Sequence, residues 1–277
     1  MYDAFYNLKQ KPFSVTSNPS FLFLSKSHKE ALAHLIYGIK ERVGFMEITG
    51  EVGTGKTTLC RALLNQLDKK TKTAFIFNSN VSEMQLMQTI LEDLGISLDK
   101  KNRNKGALFS ELNRFLIEQL TLGNNVVLII DEAQNLSLKL LEQVRMLSNL
   151  ESENEKLLQI VLVGQPELRD KLNLPTLRQL RQRIAVRYHI QVLERDEVPA
   201  YILHRLALAG ANGAAPIFQE DALDEIYRYS TGIPRLINML CNKALLTGFV
   251  LEKRCIDEEI IKQSILELEG NLYERYQ

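Results

Sequence analysis

The sequence predicts an α/β fold: a three-layer core around a parallel sheet, followed by a small all-helical lid domain. Up to about residue 192, short apolar strand-like runs alternate with longer helical patterns, which is the order of a parallel sheet covered on both faces. Beyond that point the strand pattern ends and only helical patterns follow. We therefore predict a core over residues 1–192, a helical domain over 193–268 and a C-terminal tail over 269–277.

The predicted strands are brief, rich in β-branched or aromatic residues, and bounded by polar or turn residues. They cover residues 45–49, 73–77, 126–130, 160–163 and 185–192. The predicted helices carry apolar residues at spacings of three and four, as amphipathic helices do. In the core they cover residues 28–42, 57–67, 83–94, 109–120 and 138–149, and in the helical domain residues 194–208, 219–229, 235–251 and 257–268. The polar stretch 99–106 is predicted to be an exposed loop.

Composition excludes several classes of protein. Of the 277 residues, 34 are Lys or Arg and 34 are Asp or Glu, so zero net charge gives no global attraction to nucleic acid or to an anionic membrane. The apolar runs are far shorter than the ~20 residues of a membrane span. The N-terminus lacks the features of a secretory signal, so we expect a cytoplasmic protein. Cys60, Cys241 and Cys255 lack metal-ligand spacing, which favours reduced structural cysteines.

A phosphate-binding loop is the strongest signal in the chain. GEVGTGKT directly follows the first predicted strand and precedes a predicted helix, which matches GxxxxGK[ST] in the required context. Glycines allow backbone N–H groups to point at phosphates, and the helix N-terminus favours their negative charge. We expect Lys56 at the β- and γ-phosphates, Thr57 on Mg²⁺ and Thr58 near the α-phosphate. The predicted ATP-binding residues are Gly50, Glu51, Val52, Gly53, Thr54, Gly55, Lys56, Thr57 and Thr58.

An acidic pair ends the run VVLIIDEAQ. An Asp–Glu pair after a strand is often only the polar start of a loop, but the phosphate-binding loop upstream favours a catalytic interpretation. Asp131 is then predicted to hold Mg²⁺, and Glu132 to orient and polarise the water that attacks the γ-phosphate.

The order of these elements resembles that of the AAA+ ATPases: a phosphate loop, a DE pair, the strand IVLVGQ, and STGIPR in a helical module. The resemblance places Gln165 at the sensor 1 position, where the family more often has Asn or Thr. It places Arg235 at the sensor 2 position, from which an arginine reaches the γ-phosphate. Both are therefore expected to contribute to catalysis.

Four arginines, Arg178, Arg181, Arg183 and Arg187, lie in LRQLRQRIAVRYHI before and within the last predicted strand. The resemblance implies that one of them acts in the neighbouring subunit as an arginine finger, with Arg183 in the best position. A nucleic-acid-binding patch and a solvated helix face are the alternatives.

The opening MYDAFYNLKQKPF, with LIIDEAQNL, VLVGQPEL and STGIPRLIN, resembles the general secretion pathway protein A family and its MSHA-pilus relative over residues 1–268. The resemblance implies an ATP-dependent homo-oligomer that drives or gates assembly of a secretion, pilus or polysaccharide-export machine. Its expected partner is an inner-membrane component, through which this otherwise cytoplasmic chain would contact the membrane. Longer members carry a transmembrane segment and a periplasmic peptidoglycan-binding domain; this sequence resembles the ATPase-only members.

Two alternative functions use the same residues. Transposition regulators of the TnsC and TniB type share this layout and bind DNA as ATP-dependent filaments, but neutral charge and the N-terminal pattern favour secretion, so no strong nucleic-acid binding is expected. The second alternative is a nucleotide-gated scaffold that binds ATP with negligible turnover. Phe13, Phe21 and Phe23 are expected to be core aromatics rather than part of a base pocket or a docking surface.

Overall fold

The computed structural model describes residues 2–15, 18–77, 81–97, 104–151, 155–211 and 216–270, which form two compact units. The first unit contains the described residues of Met1–Ser25, Val52–Thr58 and Gln191–Gln277, and the second those of Lys26–Glu51 and Leu59–Ile190. Each unit combines segments that are distant in the sequence. The predicted domain boundary at residue 192 stays a prediction. Most of the predicted tail, residues 271–277, lies outside the described residues.

The described part of the second unit holds a five-stranded parallel sheet in the order β2-β3-β4-β1-β5. The strands are β1 (Phe45–Gly50), β2 (Thr71–Ile76), β3 (Asn125–Ile130), β4 (Gln159–Gly164) and β5 (Ile184–Ile190). Each lies within a few residues of its predicted position. The predicted fold class is therefore confirmed.

The described residues form twelve α-helices. They are α1 (Tyr2–Phe5), α2 (Lys26–Lys40), α3 (Lys56–Gln66), α4 (Glu83–Asp93), α5 (Lys105–Thr121), α6 (Leu138–Leu147), α7 (Pro166–Leu172), α8 (Arg178–Arg183), α9 (Glu197–Leu208), α10 (Glu220–Ser230), α11 (Pro234–Val250) and α12 (Glu258–Glu269). The short helices α1, α7 and α8 were not predicted. Part of the predicted loop 99–106 is wrong, because Asn104 accepts a hydrogen bond from the Ala107 N–H at 2.9 Å and so starts α5 at Lys105. Residues 99–103 of that loop lie outside the described residues.

Alternating side chains of each central strand enter two separate apolar layers in the second unit. In β3, Val127 and Ile129 pack with residues of α2 and α3, whereas Leu128 and Ile130 pack with residues of α4, α5 and α6. Since successive side chains of a strand point to opposite faces, this packing produces helix, sheet and helix layers.

The first unit is a helical bundle whose core includes aromatic residues of the N-terminal segment. Phe13 and Phe21 are buried in this unit, as expected of core aromatics, and Phe23 packs edge-on against Tyr201 at 5.8 Å. The buried guanidinium of Arg205 donates to the carbonyl oxygens of Pro12 and Ser14 at 2.6 and 3.1 Å. This charge-assisted pair of hydrogen bonds ties the segment to α9.

The cysteines occupy three separate places. Cys60 is buried in the second unit and Cys241 in the first, where burial raises the pKa of its thiol, while Cys255 is partly exposed. Within the described ranges we find no cluster of His, Cys, Asp or Glu side chains suited to hold a metal ion. Among the helices described, none combines the length and apolar character required to cross a bilayer.

Candidate functional site

The phosphate loop has the backbone geometry of an anion-binding turn. Gly53 and Gly55 have φ angles of +86° and +95°, which side chains disfavour, so both positions need glycine. Alternating backbone conformations of this kind turn successive N–H groups toward one concavity. Lys56 begins α3 and is only 6% exposed, and Thr54 is fully buried. The predicted loop residues thus form an arrangement suited to phosphate groups.

Within the first unit, Arg235 lies against this loop. Its backbone N–H donates to the Gly53 carbonyl oxygen at 3.2 Å, and its side chain is exposed at the start of α11. A Cβ atom on Gly53 would lie 2.6 Å from Arg235 Cβ and 3.2 Å from Ile233 Cγ2. The contact is therefore too close for any residue with a side chain at position 53. The structure therefore places Arg235 beside the phosphate loop, and its expected contact with the γ-phosphate stays a prediction.

The acidic pair follows β3 in the second unit. The Asp131 N–H donates to the Ile76 carbonyl oxygen at 2.9 Å, and the side chain is 2% exposed. Glu132 adopts left-handed backbone angles, φ 50° and ψ 37°, a conformation that costs a non-glycine residue about 1–3 kcal/mol. Strain of this kind clusters at functional sites, which fits the role predicted for Glu132.

Two amide side chains hold the Glu132 carboxylate. Gln165 Nε2 donates to Glu132 Oε2 at 3.1 Å, so the structure brings these two predicted residues together. Gln134 Nε2 donates to the same oxygen at 2.5 Å. Gln134, the last residue of the DEAQ run, is not among the site residues predicted from the sequence. An amide side chain two residues after the acidic pair was the sequence feature that could have identified Gln134 as a site residue.

Arg183 does not join this group of residues. Ile184 pairs with Phe45 at the start of both strands, so Arg183 lies at the amino edge of the sheet, whereas Asp131 and Gln165 follow the carboxyl ends of their strands. Its Nη1 donates to Ser148 Oγ at 2.8 Å. An arginine at this edge cannot serve the carboxyl-edge residues of its own unit without a large rearrangement.

Other members of the arginine cluster also make contacts inside the second unit. Arg187 donates to the Arg181 carbonyl oxygen at 2.7 Å, and its Nε lies 3.5 Å from Glu47 Oε2. Glu47 is 3% exposed, and burial raises the pKa of its carboxyl. The nearby Arg187 charge offsets only part of this rise. Arg178 is exposed and makes no side-chain hydrogen bond or ion pair within the described ranges. The cluster is therefore not a uniform free basic surface.

Comparison with known proteins agrees with this geometry. Residues 39–172 match the AAA domain family. The chain therefore carries an AAA domain. It is also 44% identical over 270 residues to general secretion pathway protein A of Aeromonas hydrophila, a match that covers 98% of this chain and 49% of that protein. The chain thus spans about half the length of this curated relative. The expected resemblance to that family is confirmed.

Solved structures share the fold at low sequence identity. The ORC2 protein of Aeropyrum pernix aligns with a TM-score of 0.66 and 16% identity, over 94% of this chain and 71% of that chain. CDC6P of Pyrobaculum aerophilum aligns with a TM-score of 0.70 and 19% identity, over 90% and 70%. The RuvB branch migration motor of Thermotoga maritima aligns with a TM-score of 0.59 and 18% identity, over 88% and 69%. These likenesses show a shared fold and leave the function to the site itself.

Proposed function

We propose that this chain hydrolyses ATP to ADP and phosphate, and that hydrolysis drives or gates assembly of a secretion or pilus machine. The left-handed glycines of the phosphate loop, followed at once by the buried Lys56, are the observation that carries the proposal. The AAA domain match supports it, and the similar Aeropyrum pernix protein was solved in ADPNP–ADP complexes.

The proposed roles follow from the chemistry of each side chain. Lys56 supplies a fixed positive charge for the β- and γ-phosphates, and Arg235, beside Gly53, supplies a second for the terminal phosphate. Glu132 accepts a proton from the attacking water and orients it, and Gln165 holds Glu132. In this division, Lys56 and Arg235 bind nucleotide and Glu132 acts on turnover.

Mg²⁺ fits the donor set that the chain offers. Hard oxygen ligands suit this ion, and Asp131 provides a carboxylate on a 2% exposed residue. Thr57, in the first turn of α3, provides a hydroxyl oxygen. When bound, Mg²⁺ would neutralise charge that develops on the phosphate oxygens. We assign Asp131 and Thr57 as its protein ligands.

Partners and assembly form the broader part of the proposal. Because the Aeromonas hydrophila relative is named for the general secretion pathway, we propose that this chain acts with an inner-membrane secretion or pilus component from the cytoplasmic side. We also propose an ATP-dependent homo-oligomer, in which Arg183 acts on the site of a neighbouring copy.

Steady-state hydrolysis of Mg-ATP by matched variants tests the enzymatic part. Lys56→Ala should lose nucleotide affinity, whereas Glu132→Gln should keep it and lose turnover by about 10²–10⁴-fold, as expected for a positioned acid–base group. Lys69→Ala and Glu118→Gln change the same residue types at exposed positions and should behave as wild type. Normal turnover by Glu132→Gln would remove this residue from the mechanism.

A DNA titration separates secretion from transposition. We expect duplex binding no tighter than the ~10⁻⁴–10⁻⁶ M of non-specific contacts at physiological salt, with no dependence on ATP. Submicromolar ATP-dependent binding that is lost on charge reversal at Arg178 and Arg187 would replace the secretion proposal with the transposition one.

A further inference from the structure

Two side-chain amides share one oxygen of the Glu132 carboxylate. Oε2 accepts hydrogen bonds from the side-chain amides of both Gln134 and Gln165. We propose that Gln134 is a positioning residue, which holds the Glu132 carboxylate in the orientation from which it acts on the attacking water. The proposal rests on the proposed ATPase function and extends it to a residue with no role so far.

The Gln134 amide has one orientation because both of its ends are used. Nε2 donates to Glu132 Oε2 at 2.5 Å, and Oε1 accepts the backbone N–H of Gln165 at 3.1 Å. A flipped amide would place an oxygen against a carboxylate and an NH₂ group against an N–H, so both contacts would become repulsive. Gln134 is thus fixed as a donor to Glu132.

The backbone that carries Gln134 is fixed as well. Lys171 Nζ donates to the carbonyl oxygens of Gln134 and Leu136 at 2.5 and 3.0 Å, which joins the turn after β3 to helix α7. On the other side, Gly164 allows the close approach, because a Cβ there would lie 2.8 Å from Gln134 Oε1. Contacts from β4 and α7 therefore hold the side chain in place.

This arrangement defines what Glu132 can do. Two charge-assisted N–H donors on one oxygen resist rotation of the carboxylate, so the base keeps one orientation. The left-handed backbone of Glu132 aims the side chain toward the amides, and they in turn retain it in that strained conformation. A base held in this way reaches the transition state with less reorganisation, which raises kcat rather than ATP affinity.

Three variants of the 277-residue chain test the proposal. Gln134→Met keeps the length of the side chain but removes the donor, and kcat should fall about 10- to 100-fold, the equivalent of one hydrogen bond to a charged group. Gln134→Glu places an acceptor against Glu132 and should lower kcat further. Both variants should keep an ATP affinity within about twofold of wild type. Gln143→Met, on α6 and partly exposed without a side-chain hydrogen bond in the described chain, is the matched control and should keep full activity.

Combination with Glu132→Gln identifies the residue through which Gln134 acts. In that background, Gln134→Met should cause no further loss of residual turnover, because the base is already absent. A further loss of tenfold or more would overturn the proposal, as would a fall in ATP affinity and melting temperature that accounts for the lost rate. Wild-type turnover by Gln134→Met, while Glu132→Gln is inactive, would refute the positioning role and leave the ATPase function intact. Absence of hydrolysis by the wild-type chain would refute both.

Discussion

Gly53→Ala should weaken ATP binding more than alanine at Gly123, which is also left-handed, because of the contact between the phosphate loop and α11. Alanine at φ +86° carries the general penalty of about 1–2 kcal/mol for a left-handed residue with a side chain. Its methyl group would also lie 2.6 Å from Arg235 Cβ, well inside van der Waals contact. Overpacking of this kind adds about 1–3 kcal/mol unless the loop moves.

Gly123 provides the matched control. Its φ angle is +71°, yet a Cβ there would meet nothing within 4 Å. Gly123→Ala should therefore show the conformational penalty alone, and Gly53→Ala the penalty together with the overlap. If the loop relieves the overlap by shifting its N–H groups, a loss of about 2 kcal/mol corresponds to ~30-fold weaker nucleotide binding.

Titration with a fluorescent ATP analogue, together with thermal melting, measures both quantities. We expect Gly123→Ala to bind nucleotide as wild type does with slightly reduced stability, and Gly53→Ala to bind at least tenfold more weakly. If the two variants bind nucleotide equally well, the close contact between Gly53 and Arg235 has no influence on the phosphate loop, and this reasoning is wrong.

Three further predictions concern stability and assembly. Arg205→Met should lower the free energy of unfolding by about 2–4 kcal/mol, measured by urea denaturation, because it removes charge-assisted hydrogen bonds to two carbonyl oxygens of the N-terminal segment. Asp257→Ala should cost about 1 kcal/mol at pH 7. The hydrogen bond from the Ile260 N–H lowers the pKa of the Asp257 carboxyl, so the carboxylate stabilises the fold above the ordinary carboxyl pKa. In melting curves, the difference in stability between wild type and Asp257→Ala should therefore shrink as pH falls through the lowered pKa. Arg183→Ala should keep ATP affinity but lose the rise in specific activity with protein concentration; a fully active variant with a concentration-independent rate would contradict the shared site.

The centre of the sheet was predictable because β1, β3 and β4 are buried on both faces and therefore appear as short apolar runs between helical patterns. The helices α7 and α8 were not, since fewer than two turns give too little periodicity to detect. Burial of Leu168 and Leu172 in α7 and of Leu180 in α8 packs these short helices into the core of the second unit, which depends on tertiary contacts.

The candidate site shows the same division between local and tertiary information. The phosphate loop is a continuous segment, and all of the residues that define it are adjacent in the sequence, so GEVGTGKT was sufficient to predict it. The role of Gln134 depends on a left-handed Glu132 and on contacts from Gln165 and Lys171, which residue spacing does not reveal. The contact of Arg183 with Ser148 likewise depends on the packing of α6 against α8.

The identity of the nucleotide bound to purified protein tests the separation of binding from hydrolysis most directly. After incubation with Mg²⁺ and radiolabelled ATP and rapid removal of free nucleotide, wild-type protein should retain mainly ADP, Glu132→Gln mainly ATP, and Lys56→Ala little of either. If Glu132→Gln instead retains ADP in the same proportion as wild type, Glu132 does not activate the water and the proposed catalytic site is wrong.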